Sequence, residues 1–309
     1  MDYLVTGGAG FIGSHVARTL AGDGCTVRVL DNLSTGNPEN IADVSEPIDF
    51  QEGDLRDLDS VRRAVADVEY VLHLGALPSV PRSVQDPITA NDANTSGTLN
   101  LLVAARDAKV KRLVFSSSSS VYGDTPVLPK RENMKPQPLS PYAVQKLAGE
   151  HYCRIFHALY GLETIALRYF NVFGPRQNLK SQYAAVIPIF ISRLAGNQSP
   201  LIHGDGGQTR DFTFVADVVR ANRCACTAPA EAVGQVFNVA CGRRVSVNDL
   251  AAQLIETMGK QIDPEHDDPV PGDVRDSQAD ITKARELLGW EPQVEFADGL
   301  RRTIAWYAA

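Results

Sequence analysis

Tyr3-Leu4-Val5-Thr6-Gly7-Gly8-Ala9-Gly10-Phe11-Ile12-Gly13 is an apolar, β-branched run that passes into a glycine turn and then into a helical pattern. A strand that feeds a glycine turn at the head of a helix is the context that raises such a fingerprint above chance. Gly7 admits the tight turn, Gly10 lets the backbone approach a pyrophosphate, and Gly13 permits close helix-to-strand packing, with the positive helix end facing the negative charge. The next apolar run closes in Val29-Leu30-Asp31, about 20 residues on, where a carboxylate accepts hydrogen bonds from ribose hydroxyls and repels a 2′-phosphate. The pattern predicts a site for NAD rather than NADP. The competing reading is a glycine-rich turn followed by a solvated aspartate.

Outward from this stretch, short β-branched runs alternate with amphipathic windows. Strands are expected at Tyr3 to Thr6, Thr26 to Leu30, Asp49 to Glu52, Tyr70 to Leu74 and Arg112 to Ser116. Helices are expected to about Ala21, near Leu58 to Val65 and near Ala93 to Ala108. Runs such as Tyr70-Val71-Leu72 and Leu113-Val114-Phe115 are apolar throughout, which suits a parallel sheet covered on both faces. The fold class is therefore α/β, a Rossmann-type doubly wound parallel sheet with a smaller C-terminal α/β unit. After Tyr169 the pattern loosens, with proline and glycine clusters at Gly174-Pro175, Gly204 to Gly207 and Asp267 to Gly272. Phe212 to Ala228 reads as a helix and Gln235 to Ala240 as a strand that rejoins the sheet. The expected division is 1–168 plus about 212–240 for the nucleotide unit, and about 169–211 plus 241–309 for the second.

At 309 residues and 44% hydrophobic content the chain has ample material for a buried core. A net charge of −7 and a pI near 5.4 argue against a nucleic-acid partner, so an anionic ligand must be held by local cations. There is no 18-residue apolar run and the first residues enter a strand pattern at once, so a membrane span is excluded and a cytoplasmic location expected. The five cysteines are scattered and offer no disulfide framework, and Cys224 and Cys226, two apart, point away from each other on a helix. The six histidines form no ligand-spaced pair, and no metal site is expected.

The chemistry is carried further along. Tyr142-Ala143-Val144-Gln145-Lys146 follows Pro141 at the head of a helical window, so Tyr142 and Lys146 project from one face, one turn apart. An ammonium there is expected to lower a phenol's pKa from about 10 towards neutrality and make Tyr142 a general base. Ser118, in the serine-rich end Ser116 to Ser120, supplies a hydroxyl near the end of the preceding strand. The competing reading of Y-x-x-x-K is an exposed helical pair.

The glycine offsets of three and three, rather than the ordinary dehydrogenase spacing, resemble the extended short-chain dehydrogenase/reductases. Leu30 to Gly36, Gly53-Asp54-Leu55-Arg56-Asp57, His73-Leu74-Gly75-Ala76, Asn94 to Thr98, Ser140-Pro141-Tyr142 and Arg168-Tyr169-Phe170-Asn171 look like the UDP-hexose 4-epimerases of that family. So do Gly204-Asp205-Gly206, Arg210-Asp211-Phe212, Gly272 to Arg275 and Leu288-Gly289-Trp290, so the likeness spans nearly the whole chain.

The resemblance implies an NAD site lined by Gly7, Gly10, Phe11, Ile12, Gly13, Asp31, Asn32, Ser34, Thr35, Gly36, Asp54, Leu55, Leu74, Gly75, Ala76, Asn94 and Phe170, reached also by Tyr142 and Lys146. It implies that Ser118, Tyr142 and Lys146 carry the chemistry. A UDP-sugar would be held by Ser79, Ser118, Ser119, Tyr142, Asn171, Ala185, Val186, Arg210, Asp273 and Ser277. A guanidinium at Arg210 also suits phosphate oxygens on general grounds, the rival reading being a surface pair with Asp205 or Asp211. A homodimer is implied, pairing the helices Ala93 to Ala108 and Tyr142 to Tyr160 across a two-fold axis.

In the implied reaction Tyr142 takes the proton of the sugar 4-hydroxyl, Ser118 hydrogen-bonds the same oxygen, and a 4-keto sugar turns its other face before reduction. Related dehydratases and decarboxylases carry a Glu where this chain has Ser120, so elimination chemistry lacks its acid. A UDP-glucuronate 4-epimerase stays open, with Arg82 a candidate cation for the C6 carboxylate, as does a dinucleotide-binding protein without activity. Ser79-Val80-Pro81-Arg82-Ser83, Tyr183 to Pro188 and Asp273 to Ser277 resemble the subgroup that favours N-acetylated hexoses, and Ser277 replaces a bulky Tyr of glucose-only enzymes. Pro78 in place of Gly and Val270 in place of Arg depart from that pattern.

Overall fold

The computed structural model describes residues 1–44, 47–178, 185–269 and 274–308. Seven parallel strands form one sheet: Tyr3–Thr6 (β1), Val27–Asp31 (β2), Asp49–Glu52 (β3), Tyr70–His73 (β4), Arg112–Ser118 (β5), Glu163–Tyr169 (β6) and Val236–Val239 (β7). Their order is β7-β6-β5-β4-β1-β2-β3, with the change of winding direction beside β1. The strand rejoining the sheet is β7, paired to β6 from Val236↔Ala166 to Val239↔Tyr169.

Alternation sends successive strand residues to opposite faces. Val5, Val29, Leu72, Val114 and Ile165 enter one core with helices Phe11–Gly22 (α1) and, later in the chain, Val215–Thr227. Leu4, Leu30, Val71, Leu113 and Phe115 enter the other, under Leu58–Val65 (α2) and two helices described next. After the short helices Val80–Gln85 (α3) and Pro87–Asn91 (α4), a π-turn at Asp92–Ser96 leads into Gly97–Asp107 (α5). Pro141–Tyr160 (α6) lies against β5, where Gly149 is obligatory: a Cβ there would fall 2.3 Å from the Phe115 ring.

A third core is built from separated segments. Phe173, Phe190, Leu194, Phe212 and Phe214 pack with Leu250, Leu254 and Leu300, drawing on helices Val186–Ala195 (α7), Val247–Thr257 (α9) and Phe296–Ala308 (α11). Between them in chain order stand Val215–Thr227 (α8), ahead of α9, and Thr282–Leu288 (α10), ahead of α11. Ala284, Leu288 and Trp290, which lie within the span 241–309 expected in the second unit, pack in the first core with α8. The indole of Trp290 is apolar enough to fill that core, and its N–H is satisfied by the Asp217 carbonyl at 3.0 Å.

The expected alternation also stopped at Arg112 to Ser116, whereas the structure adds β6 as the partner of β5 over its whole length. Buried Thr164 and Arg168 interrupt the apolar run of β6 and hide it from a hydrophobic scan. Arg168 is matched by Glu150 of α6 at 2.7 Å, both side chains only 4% exposed, and this pair pins α6 to the sheet. Arg112, at the other end of β5, donates to the carbonyls of Ala225, Cys226 and Ala228 and so caps α8.

Candidate active site

Two cavities meet at the carboxyl ends of the strands. The larger, about 1260 Å³, runs over the glycine turn; the smaller, about 460 Å³, lies beyond the serine-rich end of β5. Ser79, Ser117, Tyr142 and Ala185 border both.

Gly7 has φ of +68°, and a Cβ on it would meet Gly75 at 2.7 Å, while one on Gly13 would fall 2.1 Å from the Gly7 carbonyl. The turn and the helix therefore close-pack as glycines alone allow. Gly10 caps α1 without a side chain, and the first turn holds no acid, so its backbone N–H groups stay available to an anion. Asp31 ends β2 with its carboxylate accepting from Ala9 N at 3.0 Å and Leu33 N at 2.8 Å. Burial raises its pKa, and those two bonds oppose the rise. Asn32 donates to Asp54 at 2.7 Å, and Arg56 grips Asp54 through two bonds, holding that carboxyl well below its usual range. An uncapped helix start, a cradle that no Cβ could share and a carboxylate at the end of β2 fit a dinucleotide.

Of the residues expected around NAD, Gly7, Gly10, Phe11, Ile12, Gly13, Asp31, Asn32, Ser34, Thr35, Asp54, Leu55, Leu74, Gly75, Ala76, Tyr142 and Lys146 line the larger cavity. Gly36 stands behind it, against the Asp31 carboxylate. Asn94 is buried and clips the Leu77 backbone to Gln145 of α6. Phe170 lines the smaller cavity instead. Sequence reasoning missed Arg176, Gln177, Trp306 and Tyr307, which line the larger cavity from distant parts of the chain; no local motif marks them.

Ser140 caps α6 by accepting from Ala143 N, Pro141 occupies its first turn, and the Tyr142 amide donates to Ser83 Oγ at 3.0 Å. Lys146, one turn on and 5% exposed, donates to the Ser116 carbonyl at 2.8 Å and lies 5.8 Å from the Tyr142 ring. Burial pushes the Tyr142 phenol up to about 12, the Ser118 hydroxyl acting the other way, and the same burial brings the Lys146 ammonium down to about 8. Burial thus opposes the lowering of the phenol expected from Lys146.

The smaller cavity is lined by Ser118, Ser119, Ser120, Asn171, Arg210 and Ser277, while Val186 opens α7 directly after the lining residue Ala185. Asp273, like Val270 and Tyr183, lies outside the described residues. Asn171 adopts φ of 34° and donates to the Asp211 carbonyl at 3.0 Å. The Asp211 carboxylate is pushed up to about 7 by burial and accepts from Cys241, Gly242 and Ala279, while Asp205 is gripped by Arg275. Both carboxylates offered as surface partners of Arg210 are thus engaged elsewhere. Ser120 Oγ is buried without a hydrogen-bond partner among the described residues. Arg82 lines the larger cavity, not the smaller. No cluster of metal-ligating groups occurs among the described residues, and no helix among them is long and apolar enough to cross a membrane.

A glycine cradle for an anionic dinucleotide, joined through Tyr142 to a second cavity with a cation and hydroxyls, defines a nucleotide-dependent enzyme of the short-chain dehydrogenase type. The chain belongs to the NAD dependent epimerase/dehydratase family, whose model matches residues 3–240. It is 42% identical to a UDP-glucose 4-epimerase of Mycolicibacterium smegmatis over 99% of this chain and 98% of that one. Among solved structures, the UDP-N-acetylglucosamine 4-epimerase of Methanobrevibacter ruminantium in complex with UDP-N-acetylmuramic acid superposes with a TM-score of 0.95 at 41% identity, covering 99% and 98% of the two chains. The UDP-glucose 4-epimerase of Thermus thermophilus in complex with NAD gives 0.90 at 37%, covering 100% and 99%.

Replacing Tyr142 by Phe removes the proton-transferring oxygen but keeps the ring. Turnover should fall by at least about 10²-fold, the lower range for losing a general acid/base, with an unchanged melting temperature. Wild-type turnover in that variant would take Tyr142 out of the chemistry.

Proposed function

We propose that the protein is an NAD-dependent 4-epimerase of UDP-hexoses, with the nucleotide sugar in the smaller cavity and the dinucleotide in the larger. The observation that carries the reading is that Tyr142 borders both cavities beside Ser118 and Lys146. NAD, when bound, supplies a reversible hydride acceptor. The protein's share is to position and to move a proton. Tyr142 takes the 4-hydroxyl proton and returns it after the 4-keto sugar has turned over, Ser118 orients that oxygen, and Lys146 favours the phenolate. Arg210, next to buried Asp211, is the cation for the UDP diphosphate, and Asn171, Ala185, Val186, Ser79, Ser119 and Asp273 complete that site. We assign the third core, with the loops it carries, to the UDP-sugar.

Ser277 is nearly buried, lines the smaller cavity, and leaves room for a 2-acetamido group. Purified protein incubated with UDP-Glc or UDP-GlcNAc and no added cofactor should yield the C4 epimer by NMR. Ser277→Tyr should lower kcat/KM for UDP-GlcNAc more than about tenfold relative to UDP-Glc, beyond the roughly 1 to 3 kcal/mol of one methylene. Equal losses would place the gate elsewhere, and a protein inert towards every UDP-hexose would refute the reading.

A second copy of the chain is proposed as partner. Val144, Ile155 and Leu159 of α6 are exposed along one face of that helix, 52%, 41% and 71% respectively, and half-buried Leu99 and Val103 continue an apolar surface on α5. Light scattering should give twice the chain mass at micromolar concentration, shifting towards one chain for Ile155→Glu with Leu159→Glu. A monomeric wild-type mass would contradict it.

A further inference from the structure

The segment Pro175 to Asn178 crosses the larger cavity and no motif accounts for it. Two bonds hold it there. The Pro175 carbonyl accepts from His15 Nε2 of α1 at 2.8 Å, and the Tyr307 hydroxyl of α11 donates to the Gln177 carbonyl. The His15 ring in turn stands edge-on to Phe11, at the first turn of α1. Arg176 and the uncapped start of α1 thus line the same cavity. Its backbone is held at φ of +66°, a conformation a β-carbon resists, and such outliers persist where the surroundings over-determine them. Its guanidinium lies 6.0 Å from the Trp306 ring, and Asp43, the acid that acts on it, is engaged by Arg18. The Gln177 side-chain oxygen beside it is buried without a hydrogen-bond partner among the described residues. Arg176 and Trp306 both line the larger cavity, and neither lines the smaller.

We infer that Arg176, braced on Trp306, clasps the diphosphate of the bound dinucleotide. The inference rests on the reading of the larger cavity as the dinucleotide site. A chain of net charge −7 needs a local cation where an anion binds. Backbone amides of α1 supply only partial charge, whereas a planar guanidinium meets phosphate oxygens in two parallel bonds. The aromatic face keeps the guanidinium aimed while the site is empty of anion. The substrate is also a diphosphate, so the two sources must be told apart.

Nucleotide-stripped full-length protein, wild type and Arg176→Gln, Arg176→Lys and Trp306→Phe variants, is titrated with NAD and separately with UDP by calorimetry. Tryptophan emission is followed in parallel, since of the two tryptophans Trp290 is buried and Trp306 is 41% exposed. Arg176→Gln should raise the NAD Kd at least about tenfold and leave the UDP Kd unchanged, with Arg176→Lys between the two. Trp306→Phe should abolish the NAD-dependent emission change. Unchanged NAD affinity in Arg176→Gln alongside tight wild-type binding overturns the clasp alone. A loss confined to UDP reassigns Arg176 to the substrate and overturns it too. A wild-type protein that binds UDP but not NAD brings down the dinucleotide reading and the clasp together.

Discussion

The hydrogen bond from the Lys146 ammonium to the Ser116 carbonyl ties the helix that presents Tyr142 to the strand that presents Ser118. It also leaves a buried cation whose closest polar partner is an uncharged carbonyl, and burying a charge without an opposite one costs several kcal/mol. The neighbourhood is arranged to bear this. Gly149 lets α6 approach β5, the Phe115 ring stands 5.1 Å from the ammonium, and Glu150, the acid one turn along α6, is taken up by Arg168. The charge is thereby kept for whatever anion forms in the cleft.

The same economy of charge extends to His73, which is buried between Lys146 and the glycine turn. Thr98 donates its hydroxyl to the Asn94 carbonyl, so it must accept from His73 Nε2 at 2.9 Å. His73 Nδ1 then accepts from the Thr6 hydroxyl at 2.8 Å, and Thr6 Oγ1 accepts from Gly75 N. Every donor in this chain is used once, the ring is neutral, and burial together with Lys146 lowers its pKa to about 3. A neutral imidazole avoids a second cation beside the ammonium. It also links the end of β1, the end of β4 and the turn before α5, and through Asn94 and Gln145 it reaches α6.

Much of this was legible in the sequence because the signals are local. The glycine turn, the acid ending β2 and the Tyr-x-x-x-Lys at a helix start each depend on neighbouring residues, and the structure places all of them on the larger cavity. Strands β1, β2, β4 and β5 were readable from their mostly apolar runs, whereas β3 is the exposed, largely polar edge strand Asp49–Glu52. What was hidden depends on distant segments. The polar residues of β6 make sense only with Glu150 and Cys153 as partners, as in the Thr164 bond to the Cys153 carbonyl. Asn94 looked like a ligand-facing residue, yet its amide is consumed within the fold. Trp306 and Arg176 meet across 130 residues of chain, as their neighbours Gln177 and Tyr307 do, so no window contains them. For Tyr142, spacing reveals a nearby ammonium but not the loss of water around both groups.

Burial by itself favours the neutral form of the Tyr142 phenol, and its ionisation then depends on charge brought into the cleft. The oxidised cofactor carries a positive ring, and an added positive charge favours a phenolate. Tyrosine labelled with ¹³C at Cζ, with Tyr142→Phe used to assign the resonance, permits a direct titration of this phenol in nucleotide-free and NAD-loaded protein. The account predicts a pKa near 12 without nucleotide, falling towards neutrality once NAD is bound. A phenol already ionised at neutral pH in the nucleotide-free protein, or one that NAD leaves unmoved, would contradict it.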